Sequence, residues 1–260
     1  MKIRVEGISF NYDSHEVLND ITLDIESCKV TCIIGPNGAG KTTLLKVIAS
    51  ILKPTRGTVY LDFKDVRLYK PKEIAKVIAY SEPNISKSIP IKVLDFILTA
   101  RYPFQGNLRF FEDTNDLMIV DEVCKELNIT HLLNKRLDTV SSGELQRILI
   151  ATALVKKPNV LLLDEPSAFL DIRYRFEVLR YVKEVTTKYG LTTIIALHDL
   201  QLASMYCDKV VLMDRGRIIR YGSVDEVLTS DVIKDVYGVD VEVIAINNNS
   251  LLIIPKPRHG

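Results

Sequence analysis

The stretch VTCIIGPNGAGKTTLLKVIAS, residues 30–50, changes character twice. Val30 to Ile34 form a short apolar run of the kind that suits a strand buried on both faces. Gly35 to Thr42 then read GPNGAGKT, and a helical apolar pattern follows from Lys41. The octapeptide fits G-x-x-x-x-G-K-[ST], and the strand–turn–helix setting is what gives that pattern meaning. Glycines let backbone N–H groups converge on phosphate oxygens without a Cβ in the way. The helix start adds partial positive charge. Lys41 can reach β- and γ-phosphates, and the Thr42 hydroxyl can ligate Mg²⁺. Gly35, Pro36, Asn37, Gly38, Ala39, Gly40, Lys41, Thr42 and Thr43 are therefore candidate nucleotide-binding residues.

Two more apolar runs, VLLLDE (160–165) and TTIIALHD (192–199), read like Val30–Ile34. Helical patterns follow the first two runs, KTTLLKVIAS and DIRYRFEVLRYVKEVTTKYG, so strands and helices alternate as in an α/β protein with a parallel sheet. Other strands have one wet face. Ile3 and Val5 stand opposite Lys2, Arg4 and Glu6, and Ile21, Leu23 and Ile25 alternate with Thr22, Asp24 and Glu26; GTVYLDF (57–63) does the same. Such alternation marks antiparallel strands. Residues 92–157 read as helical after a Pro- and Ser-marked connection at 81–91. Residues 209–222 read as a hairpin around Arg215-Gly216, 224–238 as two short helices, and 241–255 as strand, Asn-rich turn, strand.

The chain has 260 residues, 47% apolar and 26% charged, which suits one large domain with an embedded subdomain. Lys and Arg number 34, Asp and Glu 33, for a net charge of +1, so no charge excess points to nucleic acid. The only basic block near an end is the short PKPRHG tail. The opening MKIRVEGISF alternates and has no signal-peptide core, and no run of 18 apolar residues exists to span a membrane. Any membrane role is expected to come through a partner. Cys28, Cys32, Cys124 and Cys207 form no CxxC pair. They read as buried, reduced thiols of a cytosolic protein, Cys28 and Cys32 at a spacing that can share a strand face.

Asp164 and Glu165 end the run VLLLDEP. A buried strand does not run into two carboxylates unless something cationic or solvated meets them, and ligands of open α/β sheets bind at such strand ends. Asp164 fits the magnesium side of a nucleotide site, with Glu165 left to orient or deprotonate a water. Farther along, VSSGELQR (140–147) places Ser141 three residues before Glu144, a capping box ahead of the stripe Leu145, Ile148, Leu149 and Ala153.

In this order GPNGAGKT, VSSGELQR, VLLLDEP with SAFLD, and His198 after an apolar strand resemble an ATP-binding cassette (ABC) ATPase over nearly the whole chain. The resemblance implies an α/β P-loop NTPase fold with a RecA-like, mostly parallel core, an N-terminal antiparallel β subdomain and an inserted helical subdomain. It implies one cassette across 1–260, divided near 1–80, 84–157, 158–222 and a C-terminal extension at 223–260. It implies ATP and Mg²⁺ as cofactors, and two chains packed head to tail with two ATPs between them. Tyr12 stands where the family's adenine-stacking aromatic lies. Ser141 and Gly143 match the signature's serine and second glycine, Ser142 replaces the first glycine, and Glu144 stands where glutamine is common. By resemblance these four residues serve the ATP of the partner chain. Asp171 falls at the dimer interface, and His198 at the γ-phosphate. The signature helix start is an anion site that one chain's own phosphate loop leaves spare, which makes two chains the unit of function.

Two departures stand out. The family's glutamine near 80–84 falls on Pro83 in IAYSEPN, so Glu82 or Asn84 is left to supply an oxygen to the metal. ESCKV, near Cys28, replaces a customary glycine turn. VLDFILTARYPF (93–104) and residues 198–243 are similar to import ATPases for iron–siderophore complexes, haem and cobalamin. That branch implies an integral-membrane permease docked over residues 81–110, an external substrate-binding protein, and a peripheral place on the cytoplasmic membrane face. Molybdate and zinc or manganese transporters share the architecture, and a soluble cassette ATPase without a transport role is the alternative of another class.

Overall fold

The computed structural model describes residues 1–82, 90–104, 114–168, 170–247 and 250–256. In chain order its elements begin with strands β1 (Ile3–Tyr12), β2 (His15–Ile25) and β3 (Val30–Ile34), then helix α1 (Lys41–Ile48), β4 (Arg56–Leu61), β5 (Lys64–Asp65), α2 (Pro71–Val77) and β6 (Ile78–Ser81). Helices α3 (Val93–Thr99), α4 (Thr114–Glu126) and α5 (Ser142–Leu154) follow, then β7 (Val160–Asp164), α6 (Ile172–Tyr189), β8 (Thr192–Ala196), α7 (Leu200–Tyr206), β9 (Lys209–Asp214) and β10 (Arg217–Ser223). The chain continues through α8 (Val224–Val227), α9 (Ser230–Tyr237), β11 (Val241–Asn247) and β12 (Ser250–Pro255).

The three apolar runs of the sequence become adjacent parallel strands. Their sheet has the order β10-β9-β3-β8-β7-β6, with only β10 antiparallel to its neighbour. Side chains along a strand alternate between the two faces, and here each face meets a different apolar layer. Leu161 and Leu163 of β7 join Cys32 and Ile34 of β3 in a core shared with α3 to α7. Val160 and Leu162 face the other way with Ile33 and Ile194, against Leu44, Leu45 and Ile48 of α1 and against Ile3, Val5 and Ile8 of the antiparallel sheet β2-β1-β4-β5. Continuous apolar runs are thus explained by burial on both sides, and the one-sided alternation of β1, β2 and β4 by a sheet with one wet face.

The helical segment adds its own layer to the first core through Val93 and Ile97 of α3, Ile119 and Val123 of α4, and Ile148 of α5. Arg101 crosses this layer, its Nε 2.7 Å from Asp116 Oδ1 and its Nη1 donating to Val155 O at 2.8 Å, so the buried charge is both paired and hydrogen-bonded. Helix α6 starts at Asp171, whose carboxylate accepts from Tyr174 N at 3.0 Å, and stops at Gly190 in the left-handed region.

Cys28 and Cys32 do not share a strand face. Cys28 lies in the turn before β3 with φ of +58°, exposed, its thiol donating to Gly190 O at 3.2 Å, whereas Cys32 faces the core. The left-handed backbone explains why a glycine turn is the common solution there. Cys124 and Cys207 are buried as expected. The sequence reading also passes over α2 and β6, the second of which extends the parallel sheet beyond β7. Pro83, Asn84 and most of the connection at 81–91 lie outside the described residues.

Leu162 is fully buried where α1 crosses the sheet. Leu162→Ala is expected to cost about 2–5 kcal/mol, read as a lowered urea midpoint with an unchanged slope.

Candidate functional site

The phosphate-type loop is seated by a backbone contact. An ideal Cβ on Gly35 would lie 2.1 Å from Met213 O on β9, so no side chain fits. Gly40, with φ of +98°, would place a Cβ 2.8 Å from Leu18 Cδ2 and 3.0 Å from Val17 O. These two glycines fasten the ends of the turn to β9 and to the β2 side, and α1 starts at once after Gly40.

Lys41 is only 6% exposed. Its Nζ donates to Gly35 O at 2.8 Å and to Pro36 O at 3.0 Å, so the ammonium folds back across its own loop. Burial pushes its pKa down, while the charges of Glu165 and Asp164 oppose that shift. Thr42 Oγ1 donates to Asp164 Oδ1 at 3.1 Å. Asp164 is buried at the end of β7, and desolvation raises its pKa against the hydrogen bond from Thr42. Glu165 follows with φ of +47°, a left-handed backbone that costs a residue with a side chain of order 1–3 kcal/mol. Its carboxylate is in direct hydrogen-bonding contact with His198 Nε2. Val17, the loop from Asn37 to Thr43, Glu165 and His198 together line a cleft of about 220 Å³. Small-molecule sites enclose roughly 300–1,000 Å³, so this cleft is smaller than that range.

A hydroxyl and a carboxylate 3.1 Å apart form a hard oxygen donor pair beside a glycine cradle. That set fits Mg²⁺, which takes one or two carboxylates and completes its shell with phosphate oxygens and water. Glu82 borders the pair: the Tyr80 hydroxyl lies 3.3 Å from Glu82 Oε2 and 3.5 Å from Asp164 Oδ2, and Lys46 Nζ stands 3.0 Å from Glu82.

The remaining predicted residues are not in this cleft. Tyr12 ends β1, 48% exposed, with its ring edge-on to Phe10 at 4.9 Å between centroids. Ser141 N donates to Glu144 Oε2 at 2.7 Å, and Glu144 N to Ser141 Oγ at 3.2 Å, the reciprocal cap expected at the start of α5. The Ser141 N–H holds the Glu144 carboxyl below the ordinary range. Ser141 and Ser142 are exposed, but Gly143 is buried, with no more than 3.1 Å between an ideal Cβ and Tyr174 Cγ. Asp171 is exposed and occupied as the cap of α6. Sequence reasoning missed Lys46 and Tyr80. Lys46 had a signal, since it lies four residues after Thr42 and so on the same face of α1.

Residues 18–168 match the family model described as ABC transporter. The chain is 37% identical over 243 residues to an uncharacterized ABC transporter ATP-binding protein of Methanocaldococcus jannaschii, covering 94% of each. It is 32% identical over 243 residues to the ferric enterobactin transport ATP-binding protein of Escherichia coli, covering 94% of this chain and 89% of that one. Among solved structures, cbiO1 of Clostridium perfringens, part of the ABC transporter complex cbiONQ, aligns with a TM-score of 0.78 and 30% identity over 90% of this chain and 92% of that one.

The raised pKa of Asp164 means that the folded chain binds its proton more tightly than the unfolded chain does. Stability from this group is therefore present at low pH and falls as pH rises from about 4, the unfolded carboxyl value, through the higher folded value. Nucleotide-free Asp164→Asn is expected to melt above the native chain at pH 7, with the gap closing toward pH 3. Thermal melts across that range check it.

Proposed function

The chain belongs to the ABC transporter family, whose ATP-binding subunits hydrolyse ATP to power transport, and we propose that it drives an importer of a metal chelate, an iron–siderophore complex, haem or cobalamin. The ferric enterobactin protein supports that cargo class by its likeness over most of both chains.

One pairing of observations carries the mechanism: a small cleft around the phosphate-type loop and a capped, exposed start of α5 that takes no part in lining it, which on this reading are the two halves of one site. On this reading the loop N–H groups and Lys41 bind the β- and γ-phosphates, releasing the ammonium from Gly35 O and Pro36 O. Tyr12 stacks on adenine through its exposed ring. Thr42 and Asp164 hold Mg²⁺, which, when bound, neutralises charge on the phosphates. Glu165 takes the proton of the attacking water. His198, bonded to that carboxylate, fixes its direction and meets the γ-phosphate. Lys41 stabilises the charge that develops there.

A second copy supplies Ser141, Ser142, Gly143 and Glu144 across the cleft, with Asp171 beside the junction. Phosphate charge buried between donors of both chains favours the closed dimer. Loss of the γ-phosphate removes that bridge, as in other nucleotide switches. An integral-membrane permease reads the motion, and an external binding protein brings cargo to it, so cargo need not touch this chain. The permease contact inferred for residues 81–110 falls partly on residues outside the described ones. A hollow of about 670 Å³, lined by Ile51, Leu52, Tyr69, Ile74 and Tyr80 among others, ends beside the first of those residues. The subunit then lies at the cytoplasmic face of the membrane. No helix among the described residues is long and apolar enough to cross it.

Glu165→Gln is expected to bind ATP normally, lose roughly 100-fold or more of its turnover, and accumulate as an ATP-bound dimer on gel filtration. Turnover at the native rate would refute the role of Glu165. Ser141→Arg is expected to bind ATP as a monomer yet fail to dimerise or hydrolyse it, and full ATPase activity in that variant would refute the shared site.

A further inference from the structure

Lys46 and Tyr80 have no part in the nucleotide chemistry above, and both enter one polar cluster. Strands β6 and β7 pair in parallel with Tyr80 opposite Leu162 and Ser81 opposite Leu163, so the chain leaves β6 toward Glu82 beside the point where Asp164 ends β7. Helix α1 faces them with Thr42 and Lys46. Each oxygen of Asp164 is met by one hydroxyl: Oδ1 by Thr42 at 3.1 Å, and Oδ2 by Tyr80 at 3.5 Å. The phenol has a single proton to give, and Glu82 Oε2, 3.3 Å away, competes for it. Lys46 Nζ, 3.0 Å from that same Glu82 oxygen, offers the competitor a full positive charge instead.

We propose that Tyr80 is a positioning residue for Asp164: its hydroxyl fixes Oδ2, Lys46 draws off Glu82, and Oδ1 is thereby held toward Thr42. The inference rests on the reading that Thr42 and Asp164 hold Mg²⁺. The arrangement has a physical logic. A donor shared between two carboxylates at neighbouring strand ends, with a cation on one of them, offsets part of their mutual repulsion. Burial and the two carboxylates raise the Tyr80 pKa, so the phenol remains a donor at any working pH. Phenylalanine would keep the ring packing and remove only the hydroxyl.

The test is Mg²⁺ titration of a fluorescent, non-hydrolysable ATP analogue on the full chain. Tyr80→Phe is expected to raise the Mg²⁺ concentration for half-maximal binding by roughly three- to tenfold, the effect of losing one ordinary hydrogen bond, as suits a contact 3.5 Å long. Binding of the same analogue without Mg²⁺, and the melting temperature, are expected to match the native chain. A Tyr80→Phe titration superimposable on the native one overturns the proposal, as does an equal loss of affinity with and without Mg²⁺, which would mark a merely structural role. Asp164→Asn separates the two levels. Loss of Mg²⁺ dependence in Asp164→Asn, with Tyr80→Phe unchanged, refutes the role of Tyr80 alone. Native Mg²⁺ dependence in Asp164→Asn refutes the metal reading, and the proposal with it.

Discussion

Gly35 and the Met213 carbonyl approach so closely that no Cβ fits between them, and this contact fixes the geometry of the site. It ties the end of β3 to β9 and sets the turn that follows. The turn delivers α1 with Lys41 and Thr42 at its first positions. Because β8 and β7 lie beside β3 in parallel register, Asp164 and Glu165 emerge at the same end of the sheet. His198 comes off the end of β8 to meet Glu165. Four segments distant in sequence converge because parallel strands share one C-terminal edge, the place where open α/β sheets bind ligands.

That convergence is electrostatically incomplete within one chain. Lys41 is satisfied by carbonyls of its own loop, Asp164 is desolvated, and the cleft is small. Groups held this way favour a polyanion with its cation, since the anion gives Lys41 a better partner and the cation discharges Asp164. The capping box of α5, meanwhile, is built and exposed but does not line the cleft. On the proposed reading, a second copy accounts for both features at once.

Much of this was legible in the sequence, for physical reasons. Runs such as VTCII and VLLLD suit strands buried on both faces, as in a covered parallel sheet, and the helical patterns that follow both favour that setting. The glycine pattern of GPNGAGKT has few uses besides close backbone approach. The cap at Ser141 follows from side-chain chemistry alone. The illegible parts depend on tertiary placement. Strand β6 is four residues long and follows α2 directly, so periodicity had too little length to register it. Cys28 alternates with Cys32 in spacing, yet its left-handed backbone breaks the strand between them. Tyr80 and Lys46 look like ordinary strand and helix residues until the register of β6 on β7 brings them to Asp164. The glutamine position marked by Pro83 lies outside the described residues, and Glu82 next to it is engaged by Lys46.

The central claim is that one ATP site is made from two chains, and mixing two disabled chains tests it most directly. Lys41→Ala lacks a working phosphate loop, and Ser141→Arg lacks a working helix start. Each alone is expected to be inactive, while their heterodimer contains one site built from the intact Lys41 of one chain and the intact Ser141 of the other. ATPase activity that appears on mixing and grows with the fraction of mixed dimer is the predicted result. A mixture as inactive as its components, with mixed dimers demonstrably present, would contradict the account.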